Sequence, residues 1–201
     1  MNSGKWFGRL ARLLVFIFVL VAPRATFAFK ASGDHWTFNR TVLIHLSLGG
    51  SILQDGFHSF DESAADALRL WNNYLTHMQF SWRLASPLPP AGGDSDCSAF
   101  FSSTVYGDAF GSRVLAVTLI SVRGSIITET DTAFNDAITW DSYRGRLQTA
   151  EDFHRVAIHE FGHSLGLDHP DEAKQTVIAI MNSTISNIDT LQPDDINGAH
   201  S

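Results

Sequence analysis

Residues 159–170 read HEFGHSLGLDHP. On a helix, His159 and His163 lie on one face, one turn apart. Two imidazoles placed in this way reach a single ion at the zinc–nitrogen distance of about 2.0–2.1 Å. Gly166 follows three residues later, and glycine readily takes the left-handed turn that ends a helix. The chain can then reverse and return His169 to the same ion. Three neutral nitrogen ligands leave one coordination position open, the mark of a catalytic zinc site. Glu160 points off the ligand row but toward the same cavity. It can take a proton from a water activated by the metal and later pass it to a leaving amine. The expected chemistry is peptide-bond hydrolysis with one catalytic Zn2+, ligands His159, His163 and His169, and Glu160 as general base. The competing reading, ordinary histidines at a helix end, leaves Glu160 and Gly166 without a job.

These residues need a helix that presents them and a sheet that backs it. Thr149 and Asp152 have spacing like a capping box, so the presenting helix is expected to run from there to about Leu165. Ser59 and Glu62 have the same spacing. Ala64, Ala65, Leu68, Trp71, Tyr74 and Leu75 then recur at helical period, which predicts a helix over 61–76. β-Branched and apolar runs predict strands at 41–48, 79–84, 98–102, 113–120 and 126–134. Residues 86–96 (SPLPPAGGDSD) read as a loop. Pro193, with Asp194 and Asp195 beside it, suits the first turn of a last helix. The order of elements predicts a mixed α/β (α+β) domain with one sheet.

The first 28 residues stand apart from that domain. Lys5, Arg9 and Arg12 form a basic start, Leu13–Ala22 carries no charge, and Thr26-Phe27-Ala28 offers small residues where a signal peptidase reads. This layout predicts a signal peptide over 1–28 and a catalytic domain over 29–201, secreted to an extracellular or periplasmic space. The apolar run is short for a membrane span, so no stable membrane association is expected after cleavage. The leader holds four of the 14 basic residues and none of the 21 acidic ones. The remainder has 10 basic against 21 acidic residues, a net of −11, which disfavours nucleic acid as a partner. Cys97 is the only cysteine, so no intrachain disulfide can form. The domain is expected to act as a monomer on polypeptide substrate.

With its third histidine and its glycine, the motif resembles that of the metzincin zinc peptidases. Ile180-Met181-Asn182 fits the methionine turn that lies beneath the metal in that clan. Within the clan the chain is similar to the matrixins, particularly small bacterial matrixin-like peptidases, over residues 36–198. Ala67-Leu68-Arg69-Leu70-Trp71-Asn72 and Asp194-Asp195-Ile196-Asn197-Gly198 resemble matrixin helices. Leu115-Ala116-Val117-Thr118 resembles the edge strand that pairs with substrate. The resemblance implies one twisted mixed sheet with an antiparallel edge strand, a backing helix, an active-site helix and a C-terminal helix. It gives Gly166 and Met181 supporting roles around the metal. It makes Leu115, Ala116, Val117 and Thr118 the rim along which an extended substrate lies.

The chain departs from the resemblance in places. Pro170 stands where matrixins usually carry Ser, and Ala133 stands where they carry a ligand of a structural zinc. Asp131, Asn135 and Asp136 are candidates for Ca2+, although solvated turn residues are the commoner outcome. No propeptide cysteine motif precedes the domain. Cys97 is read as a buried or idle thiol. His154 lies off the ligand face and reads as a surface or supporting residue. His35, His45, His58, His77 and His200 read as structural, and Asp168 as a turn residue or an orienting neighbour. Trp36, Trp82 and Trp140 are expected in the core. Two other functions share these residues: a non-catalytic secreted module with a structural zinc, and a zinc amidohydrolase with a narrow non-protein substrate.

Overall fold

The computed structural model describes residues 29–200. The predicted signal peptide lies outside the described residues. Among the described residues no helix is long and apolar enough to cross a membrane.

Five strands form one sheet: β1 (Arg40–Ser47), β2 (Met78–Arg83), β3 (Cys97–Ser102), β4 (Ala116–Arg123) and β5 (Ile126–Asn135). Their order is β2-β1-β3-β5-β4. All pairings are parallel except the last, in which β4 runs antiparallel to β5 along the sheet edge. Among the described residues three helices complete the domain: α1 (Phe60–Asn72), α2 (Phe153–His163) and α3 (Pro193–Ala199). This is the expected α/β (α+β) architecture, with a mixed sheet and an antiparallel edge.

Strand alternation sets the layers. Val42, Ile44 and Leu46 of β1 are buried while Leu43 between them is 44% exposed, so one face of the sheet carries the core. Both long helices pack there. Phe60 of α1 and Phe153 of α2 stand 5.0 Å apart, and both touch Phe101 of β3. Phe153 also meets Phe134 of β5 at 4.6 Å. Trp71 is fully buried, and its indole N–H donates to the Ile158 carbonyl (2.8 Å), which fixes α1 against α2. Trp36 is buried, whereas Trp82 and Trp140 are half-buried against the core.

The start of α1 follows the sequence expectation. The Ser59 hydroxyl accepts from the Glu62 amide (3.0 Å), and the Glu62 carboxylate accepts from the His58 amide (2.8 Å). The helix ends at Asn72, four residues earlier than expected. There the Asn72 side-chain amide donates to the Phe80 carbonyl and accepts from the Phe80 amide, both at 2.8 Å. These bonds turn the chain directly into β2.

Two further expectations need correction. The edge strand begins at Ala116, not at 113, because Val114 closes a turn onto the Gly111 carbonyl and Arg113 takes φ +65°. Leu115 therefore immediately precedes the strand. The helix bearing the motif begins at Phe153 with Asp152 as its N-cap, and no side chain caps its first amides. The Asp152 carboxylate turns to Arg155 (3.2 Å) and to the Tyr143 amide (3.3 Å) instead. The Thr149–Asp152 spacing is thus no capping box. At α3, Pro193 does occupy the first turn, and Asp195 accepts from the Gln192 amide (2.8 Å).

Candidate metal centre and active site

α2 carries His159 and His163 on the face turned toward the groove. Its end is built as the sequence suggests. The Gly166 amide donates to the His163 carbonyl (2.8 Å), and Gly166 adopts φ +91°. A side chain is also sterically excluded there, since a Cβ would sit 2.2 Å from the Asp34 carbonyl oxygen. After this turn Leu167–Asp168 pairs antiparallel with Lys30–Ala31. Asp168 lies 3.6 Å from the Lys30 ammonium. His169 then comes back over the helix.

The three Nε2 atoms converge: His159 and His169 are 3.1 Å apart, His159 and His163 3.0 Å, and His163 and His169 3.0 Å. The other ring nitrogens fix the tautomers. His159 Nδ1 lies 2.8 Å from the Ile180 carbonyl, and His163 Nδ1 lies 2.7 Å from the Leu167 carbonyl. A carbonyl can only accept, so both Nδ1 atoms carry the proton. His169 Nδ1 lies 3.3 Å from a Glu172 carboxylate oxygen, which likewise can only accept when ionised. In the neutral rings all three Nε2 lone pairs then face one another with no proton among them. This arrangement is repulsive by itself and fits a cation that takes nitrogen ligands at about 2.0–2.1 Å. Burial and the neighbouring His163 push the His159 imidazole down to about 3, so it is neutral at ordinary pH. Among the described residues this trio is the only cluster of three or more His, Cys, Asp or Glu side chains close enough to share a metal.

Main-chain groups around the trio are fixed from below. Asp195 accepts from the amides of Ile180 (2.9 Å) and Met181 (3.2 Å). That grip sets the Ile180 carbonyl that holds His159. Met181 is buried, and its sulfur would lie 2.2 Å from a Cβ at position 162. Gly162 is therefore the residue that lets the methionine turn lie against α2 between the two helical histidines. The Trp36 indole donates to the Ser164 carbonyl (2.8 Å) and pins the helix end. The sequence singles out Gly166 and Met181 but gives neither Gly162 nor Asp195 a place beside the trio. A glycine inside a helical pattern was the available signal for the first.

Glu160 is only 6% exposed, and burial raises its carboxyl above the usual range. Its Oε2 accepts from the Thr118 hydroxyl at 2.7 Å. Both residues line a groove of about 910 Å³ that also contains the three histidines. Leu115, Val117, Val156, Ile180, Ile185 and Ile188 give the groove apolar walls. Leu115, Ala116, Val117 and Thr118 thus share one cleft with the histidine trio. The Leu115 carbonyl accepts from the Asn135 amide (2.9 Å) and so faces β5. Alternation turns the main-chain groups of Ala116 and Thr118 toward the open edge.

Other sequence candidates lie elsewhere. His154 is not a surface residue: it is 1% exposed, and its Nε2 lies 2.9 Å from Asp66. Cys97 is buried at the start of β3, where burial pushes its thiol up. Both Asp131 oxygens are engaged, one by the Ser98 amide (3.1 Å) and hydroxyl (2.5 Å), the other by the Tyr106 hydroxyl (2.9 Å). Asn135 spends its amide on Val114 and Ala137, and Ala133 is buried.

No curated protein matches the chain. The sequence profile of the matrixins matches residues 56–201, which contain α1, all strands but β1, and every residue of the histidine cluster. With most of its length matched and its lone-pair cluster suited to zinc, the chain belongs to the matrixin family of zinc metallopeptidases.

Proposed function

We propose that this chain is a secreted zinc endopeptidase that cleaves extended polypeptides, with the ion held by His159, His163 and His169. The observation that carries the reading is the convergence of the three Nε2 atoms. Carbonyls at Ile180 and Leu167 take the Nδ1 protons, which leaves the Nε2 lone pairs converging within 3.1 Å. When bound, zinc supplies a Lewis acid that polarises the scissile carbonyl and acidifies a water.

The remaining work falls to the protein. A substrate strand pairs antiparallel with the outward main-chain groups of Ala116 and Thr118 and presents its scissile bond across the groove. Glu160 takes a proton from the attacking water and delivers it to the departing amine. Its burial suits the first half of that task, because a carboxyl with a raised affinity for protons accepts one more readily. The apolar walls keep bulk water from the reacting atoms.

The test is hydrolysis of a quenched peptide library by the purified chain, with and without chelator, together with Glu160→Gln. Chelation should abolish cleavage and added zinc should restore it. The variant should retain zinc while losing about 10³-fold or more of kcat. Purified protein that binds no zinc, or a variant as active as the parent, would overturn the reading. N-terminal sequencing of exported protein tests secretion, with Phe29 expected as the first residue.

A further inference from the structure

We propose that Thr118 is a positioning residue for the general base: its hydroxyl holds the Glu160 carboxylate while its main chain faces the substrate. The inference rests on the proposed function, and it assigns to one side chain a task that a strand residue does not ordinarily have.

Thr118 Oγ1 lies 2.7 Å from Glu160 Oε2 and 3.0 Å from Thr132 Oγ1. A hydroxyl has one proton to give, and an ionised carboxylate can only accept. With Glu160 in the ionised form that serves as base, the Thr118 proton goes to it, and Thr132 in turn donates to Thr118. The result is a directed chain, Thr132 to Thr118 to Glu160, that ends in a charge-assisted bond. The Glu160 carbonyl, at 3.2 Å from the same hydroxyl, is the longer contact. Among the described residues Thr118 provides the one side-chain hydrogen bond to the Glu160 carboxylate.

The geometry behind this chain is rigid. Thr118 pairs with Thr132 in the β4–β5 register. The Leu115–Asn135 bond two positions before Val117 makes Thr118–Thr132 a non-hydrogen-bonded pair, the kind in which facing side chains come closest. β-Branching restricts the χ1 of both threonines. Holding Oε2 against the strand leaves Oε1 as the oxygen free to meet the attacking water. It also links two events. A substrate that pairs with the outward main chain of Thr118 fixes the residue whose hydroxyl sets the base, so substrate binding and base placement share one anchor.

The experiment compares Thr118→Val, which keeps the β-branched shape, with Thr118→Ser, which keeps the hydroxyl. Peptide hydrolysis is measured in the zinc-loaded enzyme. The Glu160 side-chain carboxyl ¹³C resonance, assigned by its loss in Glu160→Gln, is measured in the zinc-free protein. The expected result for Thr118→Val is a kcat lowered about 10- to 100-fold with KM within about twofold, the cost of a misplaced reacting group. Its zinc content should be unchanged and its Glu160 resonance moved. Thr118→Ser should restore both readouts. A Thr118→Val enzyme with wild-type kcat and an unmoved resonance overturns the proposal. So does a loss that serine does not restore, or one that follows zinc content or melting temperature instead of the hydroxyl. If the wild type cleaves no peptide, the proposed function fails, and the resonance alone decides the role of Thr118.

Discussion

Strand β5 has polar partners on both faces. On the helix face, Thr132 reaches Thr118 and through it Glu160, beside the three histidines. On the other face, Glu129 and Asp131 hold loops: Glu129 accepts from the amides of Gly93 (2.5 Å) and Ser95 (2.7 Å), and Asp131 from Ser98 and Tyr106. Both regions gather residue types that bind metals. They differ in whether the protein supplies the protons. Each carboxylate on the outer face receives N–H or O–H donors, although burial and the neighbouring Glu129 still push the Asp131 carboxyl up. The histidine Nδ1 atoms face two carbonyls and the Glu172 carboxylate, so the Nε2 atoms meet as bare lone pairs. What marks a metal centre is thus an excess of acceptors with no donor in reach, more than the mere gathering of ligating side chains.

The strongest test of this contrast is the response to zinc. Zinc buffered at a thousandfold above its Kd should raise the unfolding free energy by about 4 kcal/mol relative to chelated protein. Thermal unfolding against free zinc measures it, and a melting temperature indifferent to zinc would break the contrast. Next comes Glu129→Gln, which removes the charge from two part-buried amide contacts and should cost about 1–2 kcal/mol in urea unfolding. The loss should be the same with and without chelator. A loss that zinc modulates would mean the two faces are not independent.

A third polar cluster sharpens the comparison, because it joins an imidazole to a carboxylate. The hydrogen bond from His154, aided by Arg69, holds the Asp66 carboxyl down at about 2, against an ordinary 3.8. A depressed folded pKa contributes stability above the unfolded value and loses it as pH falls through the folded one. The contribution is therefore complete above about pH 4 and fades toward pH 2, with a size of about 2 kcal/mol. In zinc-free protein the stability gap between wild type and Asp66→Asn should narrow over that window. A gap that stays constant with pH would remove the ionic part of the pair. The smallest effects concern the helix starts. Ser59→Ala should cost about 1 kcal/mol and Thr149→Ala less than about 0.5 kcal/mol, because only Ser59 caps an amide.

What could be read from sequence was whatever depends on spacing within a few residues. The histidine pair, the glycine turn, the first helix with its Ser59 cap and the alternating strands are of this kind. The rest depends on partners far along the chain. His154 is buried because Asp66, 88 residues earlier, waits for it. Thr118 meets Glu160 across 42 residues, and its threonine looks like any strand former. The acceptors that set the histidine tautomers are main-chain carbonyls, which every residue type offers equally. The edge strand begins late because Arg113, a residue with no special liking for positive φ, closes a turn there. Asp195 was visible as a first-turn acid, but not as the clamp on Ile180 and Met181.

Gly166 has a bearing on time as well as shape. The segment that crosses it, with Asp34 at the contact and Lys30–Ala31 paired to Leu167–Asp168, comes from the opposite end of the described chain. A helix bearing His159 and His163 can form within microseconds from its own residues. The pairing beside His169, between residues 30 and 168, joins distant parts of the chain, and its closure entropy is spent before its contacts form. The turn that carries the third histidine is thus braced by residues that precede the whole sheet, so the shape of the site depends on closure of the domain around it.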